Sequence, residues 1–145
     1  MREILFRGKV NNPDNISWLQ QSVGEWVEGN LEHDPDLESY KINGFNYYSS
    51  EQGLEREPFV YRVDPETIGQ YTGMKDKNGE KIFEGDIVSH FSNYSGHRVY
   101  AVVTYTDGQF LAMTNDNAGL YLSDKLEVIG NIFDNPELLK GEENE

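Results

Sequence analysis

A chain of 145 residues suits one domain or two small ones, able to bury about two-thirds of the surface its unfolded form exposes. Aromatic residues make up 12% of it, including nine Tyr and seven Phe, which excludes a chain disordered throughout. The absence of cysteine excludes disulfides and thiolate metal sites, and a net charge of −14 opposes a direct hold on nucleic-acid phosphates.

Residues 2–10 set the apolar Ile4, Leu5 and Phe6 between charges and read as a short strand. That run falls short of the ~7–15 apolar residues of a secretory signal. No stretch approaches the ~18 of a membrane-spanning helix, so a soluble, cytoplasmic protein without a membrane partner is expected. Asn11-Asn12-Pro13-Asp14-Asn15 is a turn cluster, and residues 17–22 suit a helical turn or a strand equally. Residues 24–31 alternate Trp26, Glu28 and Asn30 with Val27, Gly29 and Leu31, a strand pattern. Glu28, Glu32, Asp34, Asp36 and Glu38 then occur with no Lys or Arg among them. The plain reading of these acids is a solvated face; the sharper one is mimicry of DNA's charge.

Tyr40-Lys41-Ile42 and Phe45-Asn46-Tyr47-Tyr48 flank Asn43-Gly44, a strong hairpin signal because both central residues of such a turn need positive φ. Residues 49–57 are polar and predict a loop, which makes them a soft domain boundary. Residues 58–63 read as a strand running into Asp64-Pro65-Glu66-Thr67. There Asp64 can cap a helix, Pro65 takes its first position, and Glu66 favours its positive end. Gly69 and Gly73 limit that helix to about two turns.

Asn78-Gly79 predicts a second hairpin, and Glu84-Gly85-Asp86 a turn into a strand over 87–91. After a loop at 92–96, residues 98–106 alternate most cleanly, with Val99, Ala101, Val103 and Tyr105 on one face. Asp107-Gly108 turns this strand back into 109–113. A polar loop at 115–117, a strand at 120–122 and another at 126–133, broken by Gly130, complete the β pattern. Asn135-Pro136-Glu137 repeats the cap-proline-acid start and opens a second short helix through Leu139, ahead of an acidic tail.

Many short strands with turn chemistry between them predict a mainly β fold, a small antiparallel barrel or sandwich with two short helices. The organisation expected is an N-terminal β subdomain over 1–57, a barrel-like subdomain over 58–140 and a tail over 141–145.

Chemistry is sparse. His33, His90 and His97 match no compact ligand spacing, and His33 beside Asp34 would hold a metal only adventitiously. Asp76-Lys77-Asn78-Gly79 glances at a calcium loop, yet Lys81 stands where that loop needs its turn glycine. The glycines from 69 to 79 lack the Lys-Ser/Thr pair of a phosphate loop, and Ser95-Gly96 lacks the glycine of a nucleophile elbow. With 26 acidic residues, chance carboxylate pairs carry no weight. No enzyme, metal or cofactor is expected.

Met1-Arg2-Glu3-Ile4-Leu5-Phe6-Arg7 is followed by Val63-Asp64-Pro65-Glu66-Thr67-Ile68-Gly69-Gln70-Tyr71-Thr72-Gly73. Lys75-Asp76-Lys77-Asn78-Gly79 and Ile82-Phe83-Glu84-Gly85-Asp86-Ile87-Val88 come next. Val128-Ile129-Gly130-Asn131-Ile132-Phe133 and Asn135-Pro136-Glu137-Leu138-Leu139 close the series. In these stretches, together and in order, the chain resembles the YopX family of bacteriophage and prophage proteins.

The resemblance implies a mainly β fold with an N-terminal part and a barrel-like C-terminal part, and it carries no catalytic or binding residues. Gly85-Asp86-Ile87-Val88 also enters its strand as many SH3-like barrels do, an analogy of fold alone. Gly69, Gly73, Gly85 and Gly130 are read as helix-end, turn and bulge positions. Gln70, Tyr71 and Thr72, between two glycines, are either packed or the one candidate recognition surface. The function expected is that of a non-enzymatic phage accessory protein in the host cytoplasm. Its partner is a second copy in a homo-oligomer, or a host or phage protein, with no nucleic acid. The alternative is an acidic inhibitor that occupies the basic surface of a host DNA-handling protein.

Overall fold

The computed structural model describes residues 3–12, 23–94 and 96–141. The expected run at 17–22, most of the turn cluster before it and the acidic tail beyond Gly141 lie outside the described residues. The chain divides into two compact units, Ile4–Gln70 and Tyr71–Glu145, the second taking in Met1–Glu3. Both are built mainly of strands. The division follows Gln70; residues 49–57, expected to hold it, form part of a hairpin instead.

Four strands make the first unit: β1 (Phe6–Asn12), β2 (Trp26–Asp34), β3 (Ser39–Ser50) and β4 (Gly53–Val63). β1 pairs antiparallel with β2 along one edge, from Phe6↔Gly29 to Lys9↔Trp26. Along its other edge it meets β4 at Val10↔Val63 and Asn12↔Arg62. Since β2 also pairs with β3, and β3 with β4, the four strands close into a ring. A closed barrel therefore lies in the N-terminal half. Alternate side chains turn inward, and Val10, Val27, Ile42, Phe59, Tyr61 and Val63 are buried there.

β2 serves its two neighbours in succession. Its residues 26–29 bond β1 and its residues 30–34 bond β3. Gly29 stands at the change, where an added Cβ would overlap the Asn43 carbonyl oxygen. Only glycine lets the two backbones come this close.

Asn43-Gly44 is not a turn. β3 runs straight through it, with Asn43 opposite Val60 and Gly44 opposite Phe59. A Cβ on Gly44 would lie 2.8 Å from the Phe59 ring, so this glycine makes room for a core aromatic instead of a positive φ. The chain turns later, at Glu51-Gln52, and the expected loop at 49–57 is strand on both sides of that pair.

The first expected helix is reduced to a single 3-10 turn, Pro65–Thr67. Its start is as read: Pro65 leads, and the Asp64 carboxylate accepts from Glu66 N at 3.2 Å. What ends it is β1. The Thr67 hydroxyl donates to Asp64 O at 2.7 Å and accepts from Lys9 N at 2.9 Å, and Gly69 pairs with Arg7. Gly69 is thus a buried strand residue and not a helix end.

β5 (Gly69–Lys75) begins in the first unit at Gly69 and Gln70; from Tyr71 onward it belongs to the second and pairs with β6 (Lys81–Phe83). Next come β7 (Asp86–Ser92), β8 (His97–Thr106), β9 (Gln109–Met113), β10 (Gly119–Tyr121) and β11 (Glu127–Asn131). These form a five-stranded sheet in the order β10-β9-β8-β7-β11. Ala101 and Val103 turn inward from β8, joining Ile82, Val88, Ala112 and Leu126 in the core. Gly130 marks a bulge in β11, as read, and lets Asn135 Oδ1 accept from Asn131 N at 3.2 Å. The one α-helix among the described residues, α1 (Glu137–Gly141), follows Pro136.

Replacing Gly29 with Ala forces β2 and β3 apart. We expect a loss of about 1–3 kcal/mol, read as a lower urea midpoint. An unchanged midpoint would contradict the close approach.

Candidate interaction surface

The β3–β4 hairpin is longer than the ring needs. Its register runs from Lys41↔Arg62 to Ser50↔Gly53 without a shift. β2 accompanies β3 only as far as Asn43, and β1 meets β4 only at Arg62 and Val63. Beyond those points, among the described residues, the two strands pair with each other alone, a two-stranded ribbon.

Four large apolar or aromatic side chains of the ribbon are exposed. Phe45 is 44% exposed, Tyr47 64%, Tyr48 40% and Leu54 75%. The Arg56 guanidinium lies 4.2 Å above the Phe45 ring, a cation–π contact that fixes both. Tyr48 Oη donates to Glu55 Oε2 at 3.0 Å, and this bond raises the phenol's pKa, aided by the same carboxylate's charge. A hollow of about 380 Å³ is lined by Tyr47, Leu54, Glu55 and Arg56. Where β2 leaves β3, a cleft of about 270 Å³ opens between Trp26, Val27 and Glu28 on one side and Phe45 and Asn46 on the other. Phe59 and Tyr61 form the rest of its lining.

The predicted candidate surface is placed differently. Gln70 is half-buried and pairs with Phe6, while Tyr71 and Thr72 are buried. Tyr71 packs on Phe83 with ring centroids 5.6 Å apart. Thr72 Oγ1 donates to Ile82 O at 2.8 Å and accepts from Met74 N at 3.2 Å, filling the bulge in β5. Tyr71 and Thr72 are buried packing residues here. His33 stacks on Tyr40 at 4.2 Å. Among the described residues, no three His, Asp or Glu come together as a metal-holding group.

Residues 18–140 match the YopX protein family. The chain belongs to that family. Its fold is similar to the crystal structure of protein EF1440 from Enterococcus faecalis, with a TM-score of 0.55 and 29% identity. That likeness covers 96% of this chain and 99% of the other. A comparison with curated proteins gave no match.

In this YopX-family chain the stretch around Asp76 is a structural clamp. Asp76 Oδ1 accepts from Asn78 N at 2.8 Å and Glu80 N at 2.9 Å, closing the β5–β6 hairpin. Its Oδ2 accepts from Val128 N at 2.9 Å on β11. Lys77 reinforces the join: its N–H donates to Leu126 O at 2.9 Å, and its ammonium meets Glu127 at 3.3 Å. The carboxylate that glanced at a calcium ligand is already engaged by backbone donors. Burial works to raise its pKa, but the three N–H donors and the Lys77 charge outweigh that and lower it below 3.8.

A depressed carboxylate adds stability above its unfolded pKa and loses it as pH falls through the folded value. Asp76→Asn removes the charge, and we expect a loss of about 1–3 kcal/mol at neutral pH. The gap between variant and wild type should shrink in urea titrations run below pH 3.8. A gap that stays constant with pH would contradict the clamp.

Proposed function

We propose that this YopX-family protein is a phage accessory protein of the host cytoplasm that acts by binding protein and does not catalyse a reaction. The observation that carries the reading is the exposed aromatic and aliphatic surface of the β3–β4 ribbon, Phe45, Tyr47, Tyr48 and Leu54. Such a surface on a two-stranded projection is what a partner or a second copy covers. The net charge of −14 supports a protein partner over a nucleic acid. Among the described residues, no helix is long and apolar enough to cross a membrane. The turn at Gly85-Asp86 into β7, with β8 and β9 following as a meander, supports an SH3-like reading of the second unit.

The acidic alternative draws on Glu28, Glu32, Asp34, Asp36 and Glu38, all exposed on β2 and the turn after it. It requires a basic partner whose binding weakens as salt rises.

Sedimentation velocity across a micromolar range tests the main reading. We expect the wild type to shift to a larger species with concentration, and Phe45→Ser/Leu54→Ser to remain the smaller one. A wild type that stays a monomer throughout contradicts self-association.

A further inference from the structure

We propose that two copies of the chain pair antiparallel along the outer edge of β3, about a two-fold axis at Tyr47. The proposal rests on the self-associating reading above and names the edge, the partner and the register.

The edge follows from the ladder. Ser50 and Gly53 face each other across a two-residue loop, so they exchange both of their backbone hydrogen bonds. Bonded and non-bonded pairs then alternate down the hairpin. Gly44, Asn46, Tyr48 and Ser50 therefore bond β4, while the N–H and C=O groups of Phe45, Tyr47 and Ser49 point away from it. β2 takes no part beyond Asn43, so among the described residues that row of donors and acceptors is open.

The two edges of the ribbon differ in kind. On β4 the outward row is Leu54, Arg56, Pro58 and Val60, by the same alternation. Pro58 has no N–H to offer there, and Glu55, Arg56 and Glu57 put charges along the strand. Proline and charge are the usual means of blocking an edge. β3 has neither: from Ile42 to Ser50 there is no charged residue and no proline. In a chain of net charge −14, this neutral strand is where a second copy can approach with least like-charge repulsion.

Size sets the register. Pairing centred on Tyr47 uses the whole free span, with Phe45 opposite Ser49 of the second copy and Gly44 opposite its Ser50. The small Ser49 and Ser50 of each copy then lie toward the closed end of the cleft between β2 and β3 of the other, opposite Phe45 and Gly44, while Tyr48 stands opposite Asn46 where Trp26 and Glu28 stand back from the strand.

The test compares Tyr47→Pro with Tyr47→Ala by sedimentation of the full chain. Proline removes an outward donor and leaves the β3–β4 bonds in place, whereas alanine removes only the side chain. We expect Tyr47→Pro to weaken association by about tenfold or more and Tyr47→Ala to weaken it far less. Wild-type association should tighten between about 0.05 M and about 0.5 M salt, because screening relieves like-charge repulsion. Association that survives Tyr47→Pro but is lost in Phe45→Ser/Leu54→Ser overturns edge pairing and leaves the ribbon as a binding surface. A wild type monomeric at both salts overturns both.

Because proline can unfold the hairpin, a second variant decides independently. The chain has no cysteine, so Asn46→Cys/Tyr48→Cys places two thiols that face each other only across the proposed axis. Efficient interchain disulfide formation, well above that of either single variant, supports the register; yields equal to the single variants overturn it.

Discussion

Everything in the first unit depends on β1 holding β2 on one edge and β4 on the other. That double pairing closes the ring, and closure requires β2 to part from β3. Continued in register, Glu28 would face Phe45 and Val27 would face Asn46; instead a cleft lies between them. Gly29 is where β2 turns aside, since its missing Cβ lets the backbone pass the Asn43 carbonyl. The open edge of β3 is therefore a geometric consequence of the closed barrel. Closure hides the edges of a sheet in most small barrels; here it hides those of β1 and, among the described residues, leaves seven residues of β3 without a strand on their outer side.

The two units solve their polar problems internally and by different means. In the second, Asp76 and Asn131 bind backbone donors so that loops hold to strands. Asn131 Oδ1 accepts from Phe133 N and Asp134 N, and Asn135 Oδ1 accepts from Asn131 N, fastening the start of α1 to β11. In the first, hydroxyl and backbone bonds at Thr67 hold the 3-10 turn to β1. The stretches by which the chain resembles its family, from Val63 through Leu139, are mostly occupied in this work. The exposed ribbon lies in residues 44–58, outside every one of those stretches.

That division explains what could be read in advance. Asn78-Gly79 and Asn43-Gly44 are the same dipeptide, yet only the first turns. Asp76 fixes the first with side-chain bonds to Asn78 and Glu80, and Gly79 takes φ of +81°. Gly44 has Phe59 across the ladder, and the core holds the strand straight. Glu51-Gln52 carries no turn chemistry, so the true tip was hidden in a polar run. The cap at Asp64 was legible, but its length was set by Lys9 and Arg7, some sixty residues earlier in the chain. Tyr71 and Thr72 were placed between the right glycines, while their burial by Phe83 and Ile82 depended on a bulge in β5 that composition does not signal. The ribbon's one visible cue was a neutral aromatic run, Phe45-Asn46-Tyr47-Tyr48, in an acidic chain.

The open edge of β3 is most directly tested by amide hydrogen exchange followed against protein concentration. In dilute solution the N–H groups of Phe45, Tyr47 and Ser49 should exchange fast, while those of Gly44, Asn46 and Tyr48 are slowed by β4. As concentration rises, protection should appear at Phe45, Tyr47 and Ser49 together. If those three amides exchange at the same fast rate at every concentration, the edge is open but unused, and edge pairing is contradicted.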